Sequence, residues 1–346
     1  MSLVNITAQE ENSTLSCHLQ YDTIDFKVQA ALRSAIGLFS FACCGMVVFI
    51  IVLFKKYKFY TQRLILYLSI AAMIHAFSYT LTRINYSTPR PIEDRYCYFG
   101  GLINHYTAAN EVLSVCCVTL SLVVRALCNR NTAKAEPVFV VVIFLLPASW
   151  FWVPIWLKGY GTIGGWCSIR ILNTNCSPYR YEPWLQLGLR YIPLYTLMFV
   201  ILVSIILVAT RTAMEHMRRS SKWDPAAGVS MKENLKKEIQ PLIWYPIIFL
   251  LLNIFLLINQ IHEAIHSEVP PSVLIYLRIL TSPLRGAFIA IAFALDSETR
   301  SRLRPAQCKA ACLDWVGRET VEDFSLANSN FVESYFSVPY REANSL

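Results

Sequence analysis

Two ionisable residues lie deep inside apolar stretches of the chain. Glu111 falls roughly 21 Å along a helix from Cys97, and Arg285 roughly 20 Å along one from Ser272. Charge in hydrocarbon is costly and persists where it is paired. The matching depths therefore predict a buried Glu111–Arg285 pair, read as structural. Arg83, Arg190 and Arg278 fall in the outer third of their helices. Guanidiniums around one cavity suit a carboxylate or phosphate ligand, although snorkelling to the interface is the preferred reading for Arg83 and Arg190. Arg278, the deepest, is the first ligand candidate. Asn104, His105, Asn259, His262 and Tyr276 share its depth and complete the candidate set, each with the alternative of a satisfied packing residue.

One short motif points to different chemistry. His262-Glu263-Ala264-Ile265-His266 has the H-E-x-x-H form, in which two histidines on one helix face hold zinc and the glutamate acts as base. Here it runs directly into Glu268-Val-Pro-Pro, and Asp296 lies at the far membrane face. The reading therefore assigns no catalytic residue, no metal and no cofactor. A membrane zinc hydrolase on His262, Glu263 and His266 is kept as a minor alternative, and a membrane transporter as the other.

The elements that must position these residues are apolar runs. Of 346 residues 55% are hydrophobic and only 16% charged, where a soluble domain carries about a quarter charged. A spanning helix needs about 20 mostly apolar residues. Seven runs meet that length: 30–54, 64–84, 98–124, 137–157, 185–210, 241–262 and 272–295. Ser, Thr, His, Asn and Glu interrupt the second and third, as residues facing a bundle interior do. The predicted fold is all-α, a seven-transmembrane bundle over 30–295. Before it comes an N-terminal tail, 1–29; after it, 296–346 holds a short amphipathic helix over 296–303 and a disordered polar tail. The first residues lack the apolar stretch of a cleavable signal peptide.

Charge sets the orientation. Lys and Arg accumulate on the cytosolic side. Lys55, Lys56, Lys58 and Arg63 crowd one connector, and Arg211, Arg218, Arg219, Lys222, Lys232, Lys236 and Lys237 another. Arg300, Arg302, Arg304 and Lys309 follow the last run. The expectation is N-terminus outside, C-terminus inside, in the plasma membrane. The net charge of +8 is an orientation signal; no basic, aromatic-interleaved patch points to nucleic acid. The sequons at Asn5, Asn12, Asn85 and Asn175 all fall outside, with Asn85 close to the bilayer. Four cysteines, Cys17, Cys97, Cys167 and Cys176, also fall outside, where disulfides persist. Cys308 and Cys312, inside and just past the last run, suit palmitoylation.

Cys97 opens the third run, and Gly164-Gly165-Trp166-Cys167 lies between the fourth and fifth. This arrangement resembles G-protein-coupled receptors. With Ile243-Trp-Tyr-Pro-Ile-Ile-Phe and Pro270-Pro271-Ser-Val-Leu-Ile, the Gly-x-Trp-Cys-x-Ile form is similar to the cyclic-AMP-receptor-like family. The resemblance covers roughly 30–304. It implies a Cys97–Cys167 disulfide pinning the loop over the bundle mouth; Cys17 and Cys176, the other two outer cysteines, are the candidates for a second pair. It also implies an extracellular small-molecule ligand, a heterotrimeric G protein inside and arrestin at the tail. The chain departs from rhodopsin-like receptors: Leu122-Val-Val-Arg125-Ala-Leu replaces Asp-Arg-Tyr, no Asn-Pro-x-x-Tyr closes the last run, and no Lys lies within 272–295.

For a switch, two packings of similar energy must be biased by differential affinity. Pro241 and Pro246 start the sixth run and can kink it. Arg125 and Glu238 belong to one membrane level, so a resting Arg125–Glu238 pair is an expectation. Lys236 and Lys237 face lipid phosphates or a partner.

Overall fold

The computed structural model describes residues 6–11, 14–19, 23–81, 95–128, 132–163, 166–169, 182–221, 242–258, 261, 272–296, 299–300 and 303–315. The chain divides into two compact units, Met1–Asp296 and Ser297–Leu346.

The first unit is mostly helical. A hairpin of β1 (Ile6–Glu11) and β2 (Thr14–Leu19) precedes α1 (Thr23–Leu53) and α2 (Tyr60–Leu81). Next come α3 (Arg95–Cys128), α4 (Glu136–Phe144) and α5 (Leu146–Trp156). The hairpin β3 (Tyr160–Ile163) and β4 (Trp166–Ile169) leads to α6 (Glu182–Gln186), a π-helical turn at Leu187–Tyr191 and α7 (Ile192–Ser221). Last are α8 (Leu242–Ile258) and α9 (Ser272–Leu295). The sequence reading treats 1–29 as a tail and contains neither hairpin.

Six helical segments are long and apolar enough to cross a membrane: Val28–Leu53, Tyr60–Thr80, Cys97–Cys128, Ala133–Trp156, Trp184–Arg211 and Tyr276–Leu295. They match six of the seven apolar runs. For the remaining run, 241–262, the described helix is the shorter apolar α8. These segments carry large apolar side chains on their outer faces, among them Phe39, Met46, Phe49, Val138, Phe199 and Leu251, all more than half exposed. In water such surface would cost free energy in proportion to its area. In hydrocarbon it costs nothing, which is why the helices can be apolar all round.

Inside, one core joins Ile51 of α1, Leu68 of α2, Val115 and Leu122 of α3, Ile143 of α4, Ile201 of α7, Tyr245 and Phe249 of α8 and Phe293 of α9. Helix α1 packs between α2 and α9, while α3 touches α2, α4, α5, α7 and both strands of the second hairpin. Gly286 brings α9 against α1: a Cβ built there would lie 2.5 Å from Cys44 Sγ and 2.5 Å from Ser40 Oγ. The Ser40 hydroxyl also accepts from the Ala287 amide at 3.1 Å.

Proline shapes the fourth and fifth segments. Pro147 follows the break between α4 and α5, where the Phe144 carbonyl accepts the Tyr106 hydroxyl at 2.7 Å. Pro193 offers no N–H to the Leu189 carbonyl four residues back, and the turn just before it is π-helical.

In the second unit, Thr299 and Arg300 are helical, and the rest of the 296–303 segment is only partly described. A full helix follows, α10 (Pro305–Trp315), with proline in the first turn, where its missing N–H removes no intrahelical bond.

Candidate functional site

Helical spacing explains how a polar cluster forms in the middle of the first unit. Asn104 and Glu111 stand two turns apart on one face of α3; His75, Ser78 and Tyr79 share a face of α2; Phe249 and Asn253 share a face of α8. Arg285 comes from α9. Exposure of Glu111, His75 and Arg285 is 1%, 3% and 7%, so bulk solvent does not reach them.

Glu111 Oε2 lies 2.6 Å from His75 Nδ1 and 3.4 Å from Arg285 Nη2. His75 Nε2 lies 3.0 Å from the Tyr79 hydroxyl and 3.1 Å from Asn104 Oδ1. The Arg285 guanidinium fans out over four helices. Its Nη2 reaches His75 Nδ1 at 3.3 Å and donates to the Tyr79 hydroxyl at 3.4 Å. Its Nη1 donates to Asn253 Oδ1 at 3.5 Å, and its Nε to the Ser282 carbonyl at 3.0 Å. It also lies 5.9 Å from the Phe249 ring centroid, and Arg33 of α1 lies 4.4 Å from that of Tyr79. Glu111 Oε1 accepts no hydrogen bond among the described residues. The structure thus brings Glu111 and Arg285 together and inserts His75 beside them, a residue that sequence reasoning left among the polar interruptions of its run. A lone histidine deep in an apolar run was the available signal.

At one end of the first unit, Cys97 and Cys167 form a disulfide with Cα atoms 5.0 Å apart. It fastens β4 to the start of α3. Gly101 leaves room for this contact: a Cβ there would sit 3.2 Å from the Ser168 amide nitrogen and 3.2 Å from the Tyr160 ring. Below it, His105 Nδ1 lies 2.9 Å from the Tyr160 hydroxyl and Nε2 lies 3.3 Å from the Leu189 carbonyl. A carbonyl only accepts, so Nε2 carries the proton and Nδ1 takes the Tyr160 hydrogen. Burial pushes the Tyr160 phenol up, which keeps that hydrogen in place. His105 therefore ties α3 to β3 and to the carbonyl that Pro193 leaves without its usual donor.

The opposite end carries a second ion pair. Arg63 Nε and Nη2 each lie 2.5 Å from a Glu136 carboxylate oxygen, a bidentate fork. Tyr67 donates to Glu136 Oε1 at 2.9 Å, and Arg63 Nη1 donates to the Tyr57 and Lys58 carbonyls, both at 3.2 Å. This joins the α1–α2 connector to the start of α4. Lys56 is buried, its Nζ 5.7 Å from the Phe293 ring centroid. Arg125 donates to Thr61 at 3.2 Å and lies 5.4 Å from the Tyr60 ring centroid, both at the start of α2. Sequence reasoning found neither Glu136 nor the role of Arg63, because their partnership is set by how α2 and α4 meet.

Tyr276 and Arg278 are half-buried on α9, with Arg278 two turns from Arg285 on the same face. Arg190 lies in the π turn and Cys17 in β2, with side chains outside the described set. Asn5, Asn12, Arg83, Asn85, Asn175, Cys176, Lys236, Lys237, Glu238, Asn259, His262, Glu263 and His266 also lie outside the described residues. Cys308 and Cys312 share one face of α10, half-buried and exposed respectively. Among the described residues, no group of three or more His, Cys, Asp or Glu is placed to hold a metal ion.

Fold and chemistry together define a helical protein with six helical segments long and apolar enough to cross a membrane, a disulfide-fastened hairpin and a charged polar centre. No protein-family model matches the chain, and no curated protein matches it.

Proposed function

We propose that the chain is a G-protein-coupled receptor of the plasma membrane, with seven spans, the N-terminus outside and the C-terminus inside. The observation that carries this reading is the Cys97–Cys167 disulfide, which holds a two-stranded connection against the start of α3. A strap of this kind narrows and shapes a cavity between helix ends and keeps it outside the cell, where disulfides persist. The six membrane-length helices and the apolar α8 supply the bundle. The basic connectors around Lys55 and Lys58 set the inner face.

In this reading a small extracellular molecule binds between the strap and the polar centre. Arg278 is its first contact, which favours a carboxylate or phosphate, and Asn104, His105, Arg190, Asn259, His262 and Tyr276 are the further candidates. Ligand binding shifts the bundle between two packings, and the inner ends then admit a helix of a heterotrimeric G protein. The tail offers arrestin its site. The decisive experiment is guanine-nucleotide exchange on purified G proteins in lipid vesicles, screened against anionic metabolites with Arg278→Ala as control. Exchange that rises with one metabolite and is lost in Arg278→Ala supports the receptor; exchange that never responds counts against it.

The buried Glu111–His75–Arg285 cluster favours a second reading, a proton-coupled carrier, because intramembrane ionisable groups also build transport paths. Substrate uptake into proteoliposomes without any G protein would decide for it.

A further inference from the structure

The two ring nitrogens of His75 face more acceptors than a neutral imidazole can serve. Nδ1 lies 2.6 Å from a carboxylate oxygen of Glu111, which only accepts, so Nδ1 carries a proton. Nε2 lies 3.1 Å from the Asn104 carbonyl oxygen, which also only accepts, and 3.0 Å from the Tyr79 hydroxyl. With both nitrogens donating, the arrangement is that of the imidazolium. The Tyr79 oxygen then serves as an acceptor, as it does for Arg285 Nη2 at 3.4 Å.

The neutral ring requires a different pattern. Nε2 becomes an acceptor, which the Tyr79 hydroxyl serves by donating at 3.0 Å, and the Asn104 carbonyl oxygen at 3.1 Å then faces a lone pair, so the amide turns through a half rotation and presents its NH2 group instead. Ser78 accommodates that turn. Its hydroxyl donates to the His75 carbonyl at 2.7 Å and is also placed to donate to Asn104 Oδ1 at 3.3 Å; once the amide has turned, the same oxygen accepts from the NH2 group through a lone pair. Two hydrogen-bond sets therefore fit the same side chains. They differ by one proton on His75 and by the orientation of one amide.

We propose that His75 is a proton-binding site whose occupancy sets the orientation of the Asn104 amide. The event is imidazole plus a proton giving imidazolium, with no other bond made or broken. Asn104 lies two turns from Cys97 on α3, so its turn changes what the amide presents away from His75, a donor when the ring is charged and an acceptor when it is neutral. The proposal stands independently of the receptor reading. The groups that govern uptake come from every helix packed around the ring. Glu111 of α3 favours the proton, and Arg285 of α9 opposes it, with Nη2 3.3 Å from Nδ1. Tyr79 of α2 bonds Nε2, Arg33 of α1 lies over the Tyr79 ring, and the Cys44 thiol of α1 is within electrostatic reach of Glu111. Glu111 and Arg285 cancel, so uptake adds a positive charge to a centre that Arg33 already borders.

The test is a nitrogen-15 spectrum of the full chain, labelled at its six histidines and held in lipid nanodiscs, between about pH 5 and about pH 8.5. The His75 signal is the one lost in His75→Gln. Should that variant misfold, it is the signal surviving single substitution of each other histidine. The expected result is a neutral ring protonated on Nδ1 at high pH, converting to imidazolium at low pH. In Asn104→Leu, which removes the amide acceptor, the midpoint falls by about one pH unit; in Asn104→Asp it rises. A His75 signal fixed in one state across the range overturns the proposal. So does a high-pH ring protonated on Nε2, or a midpoint unmoved in either Asn104 variant.

Discussion

Glu111 and Arg285 illustrate what a buried charge demands of its neighbours. Removing one member leaves the other uncompensated in a buried centre, at a cost of about 3–5 kcal/mol. Glu111→Gln or Arg285→Gln alone should therefore lower the thermal midpoint of the purified protein sharply. The double variant should be less harmed than the sum of the two, because no charge is then stranded. Additive losses in that cycle would mean the contact at 3.4 Å contributes nothing. At the disulfide end, His105→Phe should cost about 1–3 kcal/mol by stranding the Tyr160 hydroxyl and the Leu189 carbonyl. Tyr160→Phe loses the hydrogen bond but leaves His105 Nε2 donating, so the milder loss belongs there; equal thermal midpoints in the two variants would refute the bridging role. The depth of Glu111 and Arg285 was legible from helical rise alone. His75 was not, because a histidine in an apolar run has the same sequence signature whether it bridges two charges or merely packs.

Among the elements, α1 and α9 approach closely only because position 286 has no side chain. Gly286→Ala would drive a methyl group to 2.5 Å from both Cys44 Sγ and Ser40 Oγ. The expected cost is about 1–3 kcal/mol, read as a lower thermal midpoint, with Cys44→Ala recovering only part of it because Ser40 stays in place. The α1–α2 connector depends on a different device, the Arg63–Glu136 fork. Glu136→Gln should loosen it and speed tryptic cleavage after Lys58 while leaving the thermal midpoint nearly unchanged; cleavage at the wild-type rate would show that the carbonyl bonds to Arg63 suffice. The apolar runs announced these helices, and Pro147 and Pro193 mark the places where two of them deform. Which helix meets which was not legible: Arg63 reads as one more basic residue of an inner connector until α4 is laid beside it.

For the molecule as a whole, the disulfide is the one covalent link between distant parts of the first unit among the described residues. Cys97→Ser with Cys167→Ser should destabilise the protein by about 2–5 kcal/mol, seen as a lower thermal midpoint; a midpoint equal to that of the wild type would show that the link contributes nothing. Antibody to the tail beyond Arg304 should stain only permeabilised cells under the proposed orientation, and staining of intact cells would reverse every inner and outer assignment.

Amino-acid order alone determined that this chain carries runs long and apolar enough to cross a membrane, how many residues each spans, and that Glu111 and Arg285 stand equally far along their helices. Those properties follow from composition and from the constant rise of a helix, which are local. Tertiary structure alone decided that His75 bridges the pair, that Tyr79, Asn104 and Asn253 surround it, and that Arg63 holds Glu136. Each of these depends on the rotation of one helix about its axis relative to another. That rotation is set by packing of whole faces, so residues far apart in the chain determine it together.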